Sequence, residues 1–254
     1  MVLNSSKIQF IIFSRISHAV PSISKISVRF NGELVTIARK ESCKYLGLTV
    51  DENLSWKLHL DRLRMQLGRN VGLLRYLKFH LPFPALKSVY YSLIHSYFNY
   101  CPIAYLNTFK SLIKPLQRLQ NNALRTLKAL LPSPSSLPDK SPTTSLYTFL
   151  RILPVDLVLT AHCVLFRLKQ IKELLPLALN SSNFSLVSLV QNNYCLRRSS
   201  AKLPCPRIRT ERSRFSPKNS IIKFWNIYES NIDSRFSIPV SKAKFKLYLI
   251  SNYR

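Results

Sequence analysis

The sequence predicts an α+β protein, in which a small antiparallel β segment precedes a mostly helical bundle and a basic tail. Short β-rich runs and one hairpin signal lie within the first 50 residues. Three leucine stripes of helical spacing follow, and the remaining residues combine further helical runs with a strongly basic stretch. With 254 residues, 46% of them apolar, the chain is long enough to bury a core.

The β segment is predicted within residues 1–56. Residues 8–13 are rich in β-forming side chains, and residues 23–30 alternate loosely between apolar and polar. Asn31-Gly32 is a strong hairpin signal, because both residues tolerate positive φ. We therefore expect a return strand at residues 34–37 and a further strand at residues 44–50.

Three amphipathic helices are predicted within residues 57–131, joined by short loops into a thumb-like bundle. Their apolar positions recur three and four residues apart: Leu60, Leu63, Leu67, Val71 and Leu74; Leu86, Val89, Tyr90, Leu93, Ile94 and Tyr97; and Leu112, Leu116, Leu119, Ala123, Leu124 and Leu127. Pro82 and Pro84 separate the first helix from the second, and Pro84 suits a first helical turn. We interpret these stripes as core positions.

The remainder divides into a linker and a tail. Residues 132–145 are rich in Pro and Ser, as is typical of a linker. Helices are expected at residues 146–154, 155–175, 220–229 and 240–249. Between them, residues 197–218 carry eight Lys and Arg against one acid, Glu211. Such a stretch fits a cationic arm that follows nucleic acid, or a nuclear-import signal.

The charge balance points to a polyanionic partner. The chain has 38 Lys and Arg against 11 Asp and Glu, a net charge of +27. Nucleic acid is the favoured partner. Membrane-surface binding ranks last, because the basic residues accompany core-facing helices instead of one exposed apolar face.

The sequence lacks the residue patterns that several kinds of catalytic, cofactor-binding and metal site require. Asp51-Glu52 is the only adjacent acidic pair, and the chain has no Asp-Asp pair for a two-metal site. Four glycines provide neither a phosphate loop nor a dinucleotide fingerprint. Five cysteines without finger spacing are expected to be free thiols in a reducing compartment. No apolar stretch reaches the roughly 18 residues of a membrane span, and no signal peptide is evident.

A series of short motifs runs in order along nearly the whole chain. They are Asn4-Ser5-Ser6-Lys7, Lys44-Tyr45-Leu46-Gly47 with Asp51, Leu54-Ser55-Trp56 and His59, then Leu86 to Ile94, Asn99-Tyr100-Cys101, Gln117 to Arg125, Tyr194 to Arg197, Trp225-Asn226 and Phe245-Lys246. In this order and spacing, the chain resembles the C-terminal part of non-LTR retrotransposon reverse transcriptases, with jockey-like elements as the closest group. Ile8 stands where that family usually has Thr.

The resemblance implies the end of a palm and a primer grip at residues 1–56, a thumb at 57–131 and a tail at 146–254. Lys7 would lie near the incoming nucleotide's phosphates, and Tyr45, Leu46 and Gly47 would form a turn near the primer end. The thumb and tail candidates for binding nucleic acid are Arg62, Arg64, Arg69, Arg118, Arg125, Arg197, Arg198, Arg207 and Arg209.

The resemblance also implies that the catalytic aspartates belong upstream of Asn4. The chain is therefore expected to be a non-catalytic fragment of an RNA-directed DNA polymerase that binds RNA and DNA as a primer–template duplex. Mg²⁺ would belong to the palm, so no cofactor, small-molecule substrate or membrane is expected for this chain. A nuclear location is expected. Two alternatives stay open: a stand-alone nucleic-acid-binding protein, and a decayed mobile-element remnant without function.

Overall fold

The computed structural model describes residues 8–13, 23–30, 33–130, 143–180, 203, 207–209, 211–232 and 237–253. The chain forms two compact units, residues 1–66 and 67–254. Antiparallel strands lie near the N-terminus and the rest is mostly helical, which confirms the predicted α+β class.

The N-terminal unit contains two separate hairpins. In the first, β1 (Lys25–Phe30) pairs with β2 (Glu33–Ala38), and Phe30 lies opposite Glu33. The connection is therefore two residues long, which confirms the hairpin predicted from the Asn31-Gly32 signal. Residues 8–13, expected as a strand, make one bridge between Phe10 and Arg39. β-forming composition alone does not make a strand, since a strand needs a partner along its length.

The second hairpin corrects the expectation of one strand at residues 44–50. The chain reverses at Leu46 and Gly47, between β3 (Ser42–Tyr45) and β4 (Leu48–Asp51). Both turn residues have positive φ, 46° and 82°, as the favoured two-residue hairpin turn requires. A turn at these residues was expected from the resemblance, whereas the side-chain pattern alone predicted one strand, because leucine rarely adopts positive φ.

The helical unit is built from eleven α-helices of the described chain, the first of which begins in the N-terminal unit. They are α1 (Lys57–Leu77), α2 (Phe83–Tyr90), α3 (Ser96–Asn99), α4 (Pro102–Tyr105), α5 (Lys110–Lys128), α6 (Thr143–Leu150), α7 (Val155–Ile171), α8 (Leu177–Asn180), α9 (Glu211–Arg214), α10 (Pro217–Tyr228) and α11 (Ile238–Ser251). A π-helical segment, Tyr91–His95, joins α2 to α3, and a 3₁₀ turn, Glu229–Asn231, follows α10. Residues 132–142 of the linker expected at 132–145 lie outside the described residues, whereas residues 143–145 form the first turn of α6.

The predicted leucine stripes form much of the core. All five members of the first stripe are buried, as are Leu116, Ala123, Leu124 and Leu127 of the third. In the second, Leu86, Tyr90 and Ile94 are buried, whereas Val89, Leu93 and Tyr97 are only half-buried. Phe98 is buried in their place, because the π-helical segment changes which positions face inward.

A fully buried glutamine, Gln120 of α5, connects four elements in this core. Its Nε2 donates to the Tyr90 hydroxyl and to the Leu153 carbonyl, both at 3.0 Å. Its Oε1 accepts from the Val155 backbone N–H at 2.8 Å and from the Tyr147 hydroxyl at 3.1 Å. Every polar atom of the amide group is thereby used, as burial demands.

The tail helices pack onto the same core. α10 and α11 lie against α7, and Ser220 of α10 donates to Asn107 Oδ1 at 2.9 Å. The Phe109 and Phe215 rings meet edge to face, 4.9 Å apart.

In the described part of the chain, no helix alone is long and apolar enough to cross a membrane. The consecutive helices α6 and α7, whose axes are bent by 46° relative to each other, are together long and apolar enough, by length and composition only.

Candidate nucleic-acid interface

A cavity of about 410 Å³ lies between the C-terminal ends of α1 and α5 in the helical unit. Its lining residues are Arg75, Lys78, Phe79, Asn122, Arg125, Thr126 and Ala129. We call this cavity the basic groove, because three of its lining side chains are cationic and none is acidic. A concave surface lined by one sign of charge concentrates the electrostatic potential.

The end of α1 places two of these cations. Lys78 continues the helical hydrogen bonding to the Leu74 carbonyl at 3.2 Å, and the His80 N–H reaches the Leu77 carbonyl at 3.0 Å. Pro82 then prevents the helix from continuing. The chain therefore turns here, with Lys78 and Phe79 at the edge of the groove.

α5 contributes the third cation and extends the positive surface. Lys114, Arg118 and Arg125 are exposed and lie within about 40° of one another around the helix, at 100° per residue. We call these three residues the α5 stripe. It is about 16 Å long, which matches roughly five phosphate steps along one strand of a duplex. The α5 sequence contains no Asp or Glu.

Within the described residues, no carboxylate neutralises these cations. In the described structure, Arg75, Lys114, Arg118 and Arg125 have no carboxylate within salt-bridge distance. A phosphate chain passing along them would release its counterions at little desolvation cost, since the guanidinium and ammonium groups are at the surface.

One exposed aromatic ring, Phe79, lines the groove, and a second, Tyr76, lies three residues before it in the chain. Tyr76 is 63% exposed and Phe79 76% exposed. The Lys78 ammonium lies 4.7 Å from the Phe79 ring centroid, and the Tyr76 and His80 rings are 4.9 Å apart. Exposed rings next to cations are the arrangement on which unpaired bases stack while their phosphates are neutralised.

The N-terminal unit carries the predicted primer-grip residues at a hairpin tip. Tyr45 is 65% exposed, Leu46 is 72% exposed, and Gly47 completes the turn between β3 and β4. A glycine at positive φ leaves the backbone open to close approach. The side chains of Tyr45 and Leu46 are therefore exposed at the tip.

Polar contacts fix the base of this hairpin to the start of α1. The Asp51 carboxylate accepts from the backbone N–H groups of Ser55 at 3.0 Å and Trp56 at 3.2 Å. His59 Nδ1 accepts from the Thr49 N–H at 3.3 Å. Burial, and then the charge of Arg62, lower the pKa of His59, so that it stays neutral and accepts this bond at neutral pH.

The predicted arginines differ in their surroundings. Arg62 is exposed and donates to Thr49 Oγ1 at 2.8 Å, so it also secures β4 to α1. Arg64, Arg69, Arg118, Arg125, Arg207 and Arg209 are exposed. Lys7, Arg197 and Arg198 lie outside the described residues.

Sequence reasoning missed Arg75, Lys78 and Phe79. The alternation of cations and aromatics over residues 75–80 could have indicated them, because exposed rings between basic residues are typical of single-strand binding surfaces. Only the structure brings this segment beside Arg125.

Within the described residues, no three His, Cys, Asp or Glu side chains are grouped so that they could hold a metal ion. Comparisons of the chain with protein-family models, with curated proteins and with solved structures found no match.

Proposed function

We propose that this protein binds a nucleic-acid duplex through its phosphates, as the thumb of a reverse transcriptase does, and holds the duplex without carrying out polymer chemistry. The observation that carries the proposal is the basic groove with the adjoining α5 stripe: among the described residues, neither the groove lining nor α5 contains a carboxylate. The ordered resemblance to non-LTR reverse transcriptases supports a primer–template duplex of RNA and DNA as the ligand.

The proposed contacts follow from the chemistry of each group. Arg75, Arg118 and Arg125 offer planar donors that bind phosphate oxygens in pairs, and Lys78 adds a point charge. These contacts are blind to sequence. Phe79 and Tyr76 would stack on unpaired bases at a duplex end, and the exposed tip at residues 45–47 would meet the primer strand.

The test is a salt titration of binding to a short RNA–DNA duplex. The variant combines Arg75→Gln, Lys78→Gln and Arg125→Gln. We expect the slope of log affinity against log salt to fall by about three, since each phosphate contact contributes about 0.9. A control with Arg214→Gln, Lys223→Gln and Lys244→Gln changes the net charge equally at exposed positions elsewhere. Equal losses in the two variants would contradict a groove-centred site.

Stability is measured in parallel, because cations near helix C-termini also complement the helix dipole. Arg75 and Arg125 lie in the last turns of α1 and α5. If that were their whole role, the groove variant would lose up to about 1 kcal/mol of stability per cation and no affinity.

We also infer a nuclear location, supported by the basic stretch at residues 197–218. Arg197→Ala with Arg198→Ala should shift a fluorescent fusion of the full chain toward the cytoplasm. An unchanged nuclear fraction would argue against an import signal at this pair.

A further inference from the structure

A second cationic cluster lies where three segments of the helical unit meet. Its members are Lys87, Tyr91 and His95 from α2 and the π-helical segment, His162 from α7, and Lys242 and Lys246 from α11. We call it the lysine–histidine cluster. It shares no residue with the basic groove or the α5 stripe.

Ring and charge contacts join the cluster. The Lys246 ammonium lies 5.7 Å from the Tyr91 ring centroid, and the Tyr91 and His95 rings are 5.3 Å apart. His162 Nε2 and Asn99 Oδ1 are 3.2 Å apart.

The side chains are close enough to influence one another's ionisation. Burial, then the charges of Lys242 and Lys87, lower the pKa of Lys246. Burial, followed by Lys246 and His162, lowers the pKa of His95 to about 4. Burial, followed by Lys242 and Lys169, lowers the pKa of His162 to about 4.

The cluster has no counter-charge of its own. Residues 83–99 and 238–251 contain no Asp or Glu. The one carboxylate of α7 is Asp156 in its first turn, where the neighbouring charge is that of Lys110. In the described structure, Lys87, Lys242 and Lys246 have no carboxylate within salt-bridge distance. Like charges held together destabilise a fold unless an anion offsets them.

Two further features set this place apart from an ordinary charged surface. His95 is only 6% exposed, and its Nδ1 has no hydrogen-bond partner in the described structure. It also belongs to a π-helical segment, and such segments occur frequently at functional sites. A buried, unpartnered ring nitrogen in a cluster with three ammonium groups that lack a carboxylate partner within the described residues favours an anion site.

We propose that the lysine–histidine cluster binds a phosphate group. The ammonium groups of Lys87, Lys242 and Lys246 contact the phosphate oxygens, and His95 and His162 respond to its charge from behind. The phosphate comes either from the end of a nucleic-acid strand or from a free anion such as inorganic phosphate or pyrophosphate. The inference does not rest on duplex binding at the basic groove.

The test is a titration of the full chain with inorganic phosphate and with pyrophosphate, followed by calorimetry and by NMR of the histidine ring protons. We expect the pKa values of His95 and His162 to rise when the anion binds, since a nearby negative charge favours imidazolium. Lys242→Gln with Lys246→Gln should weaken binding at least about tenfold for each lysine removed. Lys244→Gln, on the same helix, should leave binding unchanged.

Absence of phosphate binding, or equal affinity of the wild-type chain and the double variant, would overturn the proposal. Lys242 is exposed, so the single substitution Lys242→Gln tests phosphate binding by the cluster if Lys246→Gln disturbs the fold. Oligonucleotides with and without a 5′-phosphate separate the two sources. A preference for the phosphorylated strand that disappears in the variant identifies a strand end, and no preference identifies the free anion.

The groove variant of the previous section keeps the two proposals apart. It should bind phosphate with the wild-type affinity. If it also binds the duplex with the wild-type salt slope, the proposed function fails while the phosphate site stands.

Discussion

The two faces of α5 differ in almost every physical respect. One face is buried and neutral, and it carries Leu116, Ala123 and Leu124 around the fully hydrogen-bonded Gln120. The other is exposed and cationic, and it carries the α5 stripe. On one helix, the residues that stabilise the fold are therefore separate from those proposed to bind a ligand. Substitutions on the buried face should change stability, and substitutions on the exposed face should change affinity.

The largest effect is expected from Gln120→Leu. The variant leaves the Tyr90 hydroxyl, the Leu153 carbonyl and the Val155 N–H without their buried partner. The Tyr147 hydroxyl keeps its hydrogen bonds to Gln117 and Asn121. At about 1–3 kcal/mol for each unsatisfied group, we expect a loss of at least about 3 kcal/mol in the free energy of unfolding. Urea unfolding measures this loss. If the urea midpoint of the variant equalled that of the wild-type chain, the contrast between the two faces would be wrong, because the polar network of the buried face would then contribute nothing to stability.

The second-largest effect is expected at low pH, where the free energy of unfolding should fall. The folded-state pKa of His95 is about 4, below its ordinary value of 6.5, because of burial and the Lys246 and His162 charges. The unfolded chain therefore takes up the proton first, and stability falls as pH drops from about 6.5 to 4. The loss is about 3 kcal/mol for this group.

The His95→Phe variant checks the acid effect. Its unfolding free energy should depend less on pH across that window, and Arg118→Gln should retain the wild-type dependence. Identical pH profiles for the wild-type chain and His95→Phe would show that the ring does not titrate as proposed.

A smaller effect is expected from Phe79→Ala at the groove. The ring is mostly exposed, so its removal should barely change unfolding. We expect a loss of about 1–3 kcal/mol in binding to a single strand or a frayed duplex end, where bases can stack. Fluorescence anisotropy with single-stranded and blunt duplex probes measures the difference. An equal loss for both probes would argue against stacking.

The smallest effect is expected from Arg118→Gln on the α5 stripe. Removing one phosphate contact should reduce the salt slope of duplex affinity by about one and change stability by less than about 0.5 kcal/mol. The same substitution is therefore the affinity-only counterpart of Gln120→Leu. A loss of stability larger than the loss of affinity would show that the two faces are not independent.

Local patterns predicted the elements that depend on local physics. The stripe from Leu60 to Leu74 predicted α1, since 3.6-residue periodicity is repeated over several turns. The first hairpin followed from the conformational freedom of Asn31-Gly32. The turn at Leu46 was expected only from the resemblance and not from the local pattern, because leucine rarely adopts positive φ.

The remaining features depend on distant parts of the chain. Gln120 looks like a surface residue in the sequence, and only its partners on α2, α6 and the start of α7 explain its burial. The groove likewise depends on packing that brings residues 75–79 beside Arg125. Basic residues on α5 were predictable as an exposed face, whereas the cavity they help to line was not.

The π-helical segment at Tyr91–His95 has a consequence for the phase of the helix that contains it. Leu86, Tyr90, Ile94 and Phe98 are all buried at a constant spacing of four residues. In a regular α-helix this spacing would turn each successive side chain about 40° past its predecessor, and the last would face away from the first by about 120°. The wider π turn absorbs that drift. Deletion of one residue from the segment should therefore restore ordinary α-helical winding and keep Phe98 in the interior, because Leu86 and Phe98 would then be eleven residues apart and would point within about 20° of each other.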